Sequence, residues 1–169
     1  LVKKVSPPEI VAVNGHAKLI PAGLIKRRLQ LGYPHLESII ISDSKYMYIT
    51  KNWFMEFVEW SDFFIRQQVP AFDSLKELPT AYEETFVELM SNVANLSVSK
   101  RYNIRASVFI GLLVADNDRP WGRIPGDGRS HRYVVGLTED GAIIYDIATR
   151  QTISADDFPN KDTITAIMF

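Results

Sequence analysis

Ser130-His131-Arg132-Tyr133-Val134-Val135-Gly136-Leu137-Thr138-Glu139-Asp140-Gly141-Ala142-Ile143-Ile144-Tyr145-Asp146 is the stretch that decides the fold. It holds two apolar runs joined at Glu139-Asp140-Gly141, and Asp-Gly between alternating apolar runs is a strong hairpin signal. The reading is of two antiparallel strands, 131–137 and 142–147. One strand begins with a histidine and the other ends at an aspartate. A histidine beside a carboxylate on the neighbouring strand is how many hydrolases orient a general base. His131 and Asp146 are therefore candidates, and the question becomes what stands upstream for them to activate.

The distance between the two depends on the turn. A two-residue turn at Asp140-Gly141 sets residue 131 opposite 150 and 135 opposite 146. His131 and Asp146 then share a face but lie about 13 Å apart along the sheet. A three-residue turn with Gly141 as a bulge puts them on opposite faces. A working pair needs Asp146 opposite Tyr133, hence a longer turn or an extra bulge.

Working outward, Ala106 to Ala115 is a continuous apolar run, consistent with a central strand buried on both faces. Residues 116–129 follow, rich in Asp, Asn, Gly and Pro, and lead directly to His131. A long loop in a compact domain is often functional. Asp116, Asp118 and Asp127 could offer oxygens to a calcium-like ion, but no EF-hand spacing is present, so a solvated loop is the favoured reading. No metal and no cofactor are expected.

Upstream of the strands the periodicity is helical. Thr50 is a good N-cap for a helix over 51–67 that places Phe54, Phe57, Val58, Phe64 and Ile65 on one face, widened by Trp53 and Trp60. This aromatic density reads as core rather than as a ligand cage. Tyr82, Phe86, Leu89 and Val93 mark a second amphipathic helix. It starts near Thr80, where Thr80 and Glu83 form a capping-box pattern, or at Ser74 with a kink at Pro79. Nearer the start, Ile39-Ile40-Ile41 and Tyr46-Met47-Tyr48-Ile49 flank Ser42-Asp43-Ser44-Lys45 and predict a second hairpin. Residues 24–31 fit a short amphipathic helix stopped by Gly32 and Pro34, with Lys26-Arg27-Arg28 as its solvated face. Residues 10–13 read as a short strand, and 163–169 as further strand material. His16 and His35 read as turn or loop histidines.

A length of 169 residues suggests one domain, divided here into an N-terminal extension or subdomain, 1–38, and a main α+β unit, 39–169. A hydrophobic content of 46% is enough for a sizeable core and argues against disorder. A net charge of −1 gives no basic surplus for nucleic acid, and no polybasic run points to a membrane surface. No apolar run reaches spanning length. The absence of cysteine removes disulfides, Cys-ligated zinc and a thiol nucleophile from this sequence. The chain begins at Leu1 without a methionine, which leaves room for a removed leading segment. No particular partner or compartment is indicated.

Helix, then sheet, with a candidate nucleophile at a helix start, a histidine on one strand and a carboxylate on the next, is the chain order of papain-like folds. Over roughly residues 40–169 the sequence resembles a group of papain-like domains found in a fungal agglutinin lectin and in phage and bacterial relatives. That group opens its helix with Phe/Tyr-Asp-Cys, begins a strand with His-Ala-x-Asn and ends the next with Glu-Pro-Gln-Thr. Here Phe72-Asp73-Ser74, His131-Arg132-Tyr133-Val134 and Asp146-Ile147-Ala148-Thr149 stand in those places. The resemblance implies an α+β, papain-like fold with N-terminal helices packed on a C-terminal antiparallel sheet. It implies Ser74 in the nucleophile position, with His131 as base and Asp146 as its orienting partner. Gln68, six residues before Ser74, stands where papain-like enzymes carry an oxyanion donor.

The departures bear on activity. Ser74 replaces the group's cysteine, Val134 its Asn, and Ile147-Ala148 its Pro-Gln. A serine is far less ionisable than a thiol and needs a well-placed base. Each candidate also has a plainer reading: Asp73 or Ser74 as a helix cap, His131 as a satisfied surface histidine, and Asp146 as a turn or strand-end cap. Two functions are expected from this. The first is a non-catalytic or degenerate papain-like domain with a binding or structural role, favoured by the lost cysteine and Pro-Gln pair. The alternative is a peptidase-like hydrolase using Ser74, or a cysteine native to position 74, with His131 and Asp146.

Overall fold

The structure, a computed structural model, describes residues 19–70, 80–102, 107–115, 131–158 and 161–169. The expected segments 10–13, 71–79 and 116–130 lie outside them. The described chain runs β1 (Leu19–Pro21), α1 (Ala22–Gly32), β2 (Ser38–Ile40), β3 (Lys45–Met47), α2 (Lys51–Gln68), α3 (Thr80–Tyr102), β4 (Ser107–Val108), β5 (Ile110–Ala115), β6 (His131–Thr138), β7 (Gly141–Asp146), β8 (Gln151–Ser154) and β9 (Ile164–Met168), with short 3₁₀ turns at Ala155–Asp157 and Lys161–Thr163.

Six strands form the main sheet in the order β2-β9-β5-β6-β7-β8. The five from β9 to β8 are antiparallel, and β2 joins the outside of β9 in parallel. A small sheet, β1-β3-β4, stands apart from it. Of the run 106–115, expected as one central strand, Ile110–Ala115 is β5, between β9 and β6, while Ser107–Val108 is β4 of the small sheet; the expected hairpin is β6–β7. The class is the one read from the sequence: α+β, with helices packed on an antiparallel sheet.

Strand alternation divides the core in two. Val134, Ile143 and Tyr145 meet α2 and α3 through Phe54, Phe57, Phe86 and Met90. Tyr133, Val135 and Ile144 meet the other layer, where Ile25 and Leu29 of α1 pack with Tyr46 and Phe109. The described part of the N-terminal segment is thus packed on the main sheet. Gly136 lies where α2 crosses β6. A Cβ there would come within 2.5 Å of the Phe54 ring, so the helix sits as close as it does because no side chain intervenes.

Two further details differ from the expected elements. The runs at 39–41 and 46–49 do not form a hairpin with each other. β2 pairs with β9, while β3 pairs with β1 and β4. The Tyr46 hydroxyl explains the corner. It accepts from the Ser42 and Asp43 N–H groups at 3.1 and 3.0 Å and donates to the Phe169 carbonyl at 2.9 Å, turning the chain from one sheet into the other. The helix faces are also rotated slightly. Phe64 and Tyr82, expected inside, are exposed, and α3 buries Glu83, Phe86, Val87, Met90 and Ala94. Thr50 caps α2 as expected, accepting the Trp53 N–H at 3.1 Å.

Candidate functional site

The turn sets the register, and the register sets the site. Thr138 pairs with Gly141, so the two loop residues are Glu139 and Asp140 rather than Asp140 and Gly141. The Thr138 hydroxyl accepts from Asp140 N–H at 3.2 Å and donates to the Gly141 carbonyl at 2.7 Å. Gly141, at φ +125°, opens β7 in a conformation that side chains disfavour. The ladder then runs to Val134 opposite Tyr145, with neither the longer turn nor the extra bulge expected, and the same register carried one residue further would set Asp146 beside Tyr133. This replaces the 13 Å spacing of the Asp140-Gly141 turn. His131 and Asp146 share a face and lie on a diagonal, about 7–8 Å apart at the backbone and within reach of side chains.

Both are deeply buried: His131 is 2% exposed and Asp146 0%. His131 opens β6 opposite Ala115, the last residue of β5, so the two lie at one end of the sheet. Its ring stands edge-on to Tyr133 with centroids 6.5 Å apart. Asp146 Oδ1 accepts the Ala148 N–H at 3.0 Å, and its carbonyl accepts the Arg150 N–H at 2.7 Å. Asp146 therefore shapes the turn that follows it as well as facing the His131 side of the sheet.

The helices converge on the same end. Glu83, in the first turn of α3 and 1% exposed, accepts the backbone N–H of Arg132 at 2.7 Å, and Glu84 pairs with the Arg132 side chain at 3.1 Å. Two successive carboxylates thus fix the start of α3 beside the residue that follows His131. At the end of α2, Arg66 donates to the Ile147 carbonyl, next to Asp146. Gln68 is exposed on the last turn of α2. Ser74 lies outside the described residues; in sequence it stands between Gln68 and Thr80, the ends of the two helices that meet here. Asp116, Asp118 and Asp127 also lie outside. Among the described residues no group of three or more His, Asp or Glu side chains could hold a metal ion, and no helix is long and apolar enough to cross a membrane.

A second polar centre was not read from the sequence. Asp62 of α2 is buried and accepts from Arg66 Nε at 2.8 Å and from the Tyr145 hydroxyl at 2.6 Å, with Arg150 Nε at 3.6 Å. Burial, and then the Asp62 carboxylate, hold the Tyr145 hydroxyl far above the ordinary tyrosine range. The signal was available: Asp62 and Arg66 are four apart on one helix, a pairing distance, and Asp62 interrupts an apolar face. Arg150 has φ +59°, a left-handed conformation uncommon outside glycine.

No protein-family model matches the chain, and no curated protein does. Among solved structures the chain is similar to one described as the "PSL1a-E64 complex", with a TM-score of 0.60 and 11% sequence identity, over 89% of this chain and 51% of that one. The chain spans about half the length of that protein, and at this identity the likeness is one of fold. With the order of helices and strands above, it makes the fold α+β and papain-like in class.

Proposed function

We propose that this chain is a degenerate papain-like domain, related to the group found in a fungal agglutinin and its phage and bacterial relatives, with a binding or structural role in place of hydrolysis. The observation that carries this reading is the β6–β7 register. It puts His131 and Asp146 in phase with Tyr133 and Ile144, on the face of the sheet opposite α2 and α3, whose ends hold the neighbouring Arg132 and Ile147 instead, while the sequence between those helices holds Ser74 and no cysteine. A thiol in that position gives up its proton to the histidine and waits as a thiolate. A serine keeps its proton until attack and depends on an oriented base and a preorganised oxyanion site. Here Asp146 Oδ1 is engaged by the Ala148 N–H, and Gln68 is solvent-exposed. By analogy with removing one oxyanion donor, loss of either the orienting carboxylate or the oxyanion donor would cost about 2.7–4 kcal/mol of barrier.

The same register favours one alternative. Asp146 beside Tyr133 is the placement a His–Asp pair requires, so a hydrolase using Ser74, or a cysteine native to that position, is the second reading. Two assays separate them: labelling by a serine-directed fluorophosphonate, and hydrolysis of a broad peptide library by the chain as it stands and by Ser74→Cys. The degenerate reading expects no labelling and no cleavage by the chain itself. Stoichiometric labelling of Ser74 would refute it. Cleavage appearing only in Ser74→Cys would identify a competent scaffold that lacks its nucleophile.

A further inference from the structure

A cleft of about 690 Å³ lies between α2 and the helix-facing side chains of β7 and β8. Its volume falls in the usual range of small-molecule sites, about 300–1,000 Å³. Tyr145 and Thr152, cross-strand partners, line it from the sheet, and Met55, Phe63 and Gln67 line it from the helix. It is on the face of the sheet opposite His131 and Asp146.

The chemistry of the lining selects the ligand. Among the described residues it holds two carboxylates, Glu59 and Asp62, and two guanidiniums, Arg66 and Arg150, so it offers no net charge to an ion. These groups are already engaged. Asp62 accepts from Arg66 Nε at 2.8 Å and from the Tyr145 hydroxyl at 2.6 Å, with Arg150 Nε 3.6 Å away, and Glu59 has contacts of its own. Two of them are also wet: the Arg150 side chain is 54% exposed, and Glu59 is exposed. An apolar ligand would strip that water and return no hydrogen bonds, a costly exchange at charged groups. A ligand rimmed with hydroxyls replaces the water instead, because each hydroxyl donates one hydrogen bond and accepts two.

The neutral part of the lining makes the same demand. The Thr152 hydroxyl and the Gln67 carboxamide make no side-chain hydrogen bond to another described residue, and each can both donate and accept. Beside them stand large apolar side chains, Met55 at 43% and Phe63 at 42% exposure. The cleft therefore suits an uncharged ring with one apolar face and a rim of hydroxyls. We propose that it binds a neutral sugar, whose less polar face lies on the Phe63 ring and whose hydroxyls reach Thr152, Gln67 and the water-exposed side of the Asp62–Arg150 pair. This gives a binding role a ligand class at a place apart from His131, and it holds whether or not Ser74 takes part in chemistry.

The test uses the full chain, isotope-labelled, and the uncharged methyl glycosides of glucose, galactose, mannose and N-acetylglucosamine, titrated one at a time while the amide chemical shifts are followed by NMR. The expected result is saturable shifts with at least one glycoside, centred on the amides of α2 and β8 around the cleft. Methoxytetrahydropyran, the same ring without the hydroxyls, produces none. Thr152→Val keeps the shape, removes the hydroxyl and weakens binding about fivefold to tenfold, the scale of one hydrogen bond. Phe63→Ala weakens it about tenfold through loss of the aromatic face, whereas Phe64→Ala, at the next position and stacked on Trp60 instead, leaves it unchanged in a variant that melts as a folded protein. Ser74→Ala also leaves binding intact. Thr152→Val carries the test should Phe63→Ala not fold. The proposal is overturned by the absence of saturable shifts with every one of these glycosides, by equal binding of methoxytetrahydropyran, by unchanged affinity in folded Thr152→Val, or by loss of binding in Ser74→Ala, which would put the sugar at the other site.

Discussion

Replacing Tyr145 by phenylalanine removes one oxygen from the core and leaves the ring in place. The hydroxyl donates to Asp62 at 2.6 Å, and hydrogen bonds to charged groups contribute about 1.5–3 kcal/mol. Asp62 keeps Arg66 at 2.8 Å, so the loss falls near the lower end, about 1.5 kcal/mol. For a domain of this size that lowers Tm by about 3–6 °C. The pH dependence sharpens the expectation. Burial and the Asp62 carboxylate raise the Tyr145 pKa from 10.0. Above pH 10 the unfolded chain therefore releases a proton that the folded chain retains. The contribution of Tyr145 is fully present below pH 10 and is lost as pH rises, at about 1.36 kcal/mol per pH unit. Tyr33 and Tyr46 shift in the same direction, both chiefly through burial, so the difference between the two proteins isolates Tyr145. Urea unfolding followed by circular dichroism should give a variant less stable at neutral pH and stability curves that meet near about pH 11. Equal stability at neutral pH, or curves that stay parallel through the alkaline range, would refute the assignment.

Three further outcomes follow from packing. Gly111→Ala should destabilise by about 3 kcal/mol or more, because its Cβ would stand 2.0 Å from the Met168 backbone oxygen; Gly136→Ala, which meets the Phe54 ring instead, should cost less, as equilibrium denaturation of both will measure. Thr50→Ala should cost about 1 kcal/mol through loss of the α2 cap, read as a lower denaturation midpoint with an unchanged slope. Glu83→Gln should be mild because the amide oxygen still accepts from Arg132, whereas Glu83→Ala should speed hydrogen exchange at the Arg132 amide and cost about 1–3 kcal/mol.

The long apolar runs made the sheet readable. The run 106–115 was consistent with a strand buried on both faces, which its part Ile110–Ala115 forms, while nothing in the run marked the break that sends Ser107–Val108 into the small sheet; the Asp-Gly signal located the β6–β7 hairpin. The position of the turn within that hairpin was not readable, because it depends on the Thr138 hydroxyl bridging Asp140 and Gly141. One residue of slip there decides whether Asp146 stands by Tyr133. The partners of Ile39–Ile41 were equally hidden, since nearby sequence offered Tyr46–Ile49 while the strand that pairs with them begins beyond residue 160. A carboxylate on a helix is by default solvated, so Glu83 reads as half of a capping box and Asp62 as half of a surface pair; the partners they meet in the interior, Arg132 and Tyr145, are both distant in sequence. At the candidate site, His131 and Asp146 came from the hairpin and the motif order, and the ends of α2 and α3 reach their neighbours Arg132 and Ile147 through contacts that no local pattern encodes.

The parallel pairing of β2 with β9 has a consequence for how the protein is made. Ser38 meets Ala166, and Ile40 meets Met168. Among the described strands β2 pairs with β9 alone, so the first of these strands in the large sheet to leave the ribosome waits for the last one before that neighbour arrives. During vectorial synthesis Ile39, Ile40 and Ile41 have no ladder to join, and a triplet of isoleucines is a strong candidate for mispairing with another nascent chain. Closing so long a span also makes this docking a late and slow event. The Tyr46 hydroxyl, which meets the Ser42 and Asp43 amides locally and Phe169 only at the end, holds the corner half-formed until β9 arrives to complete it.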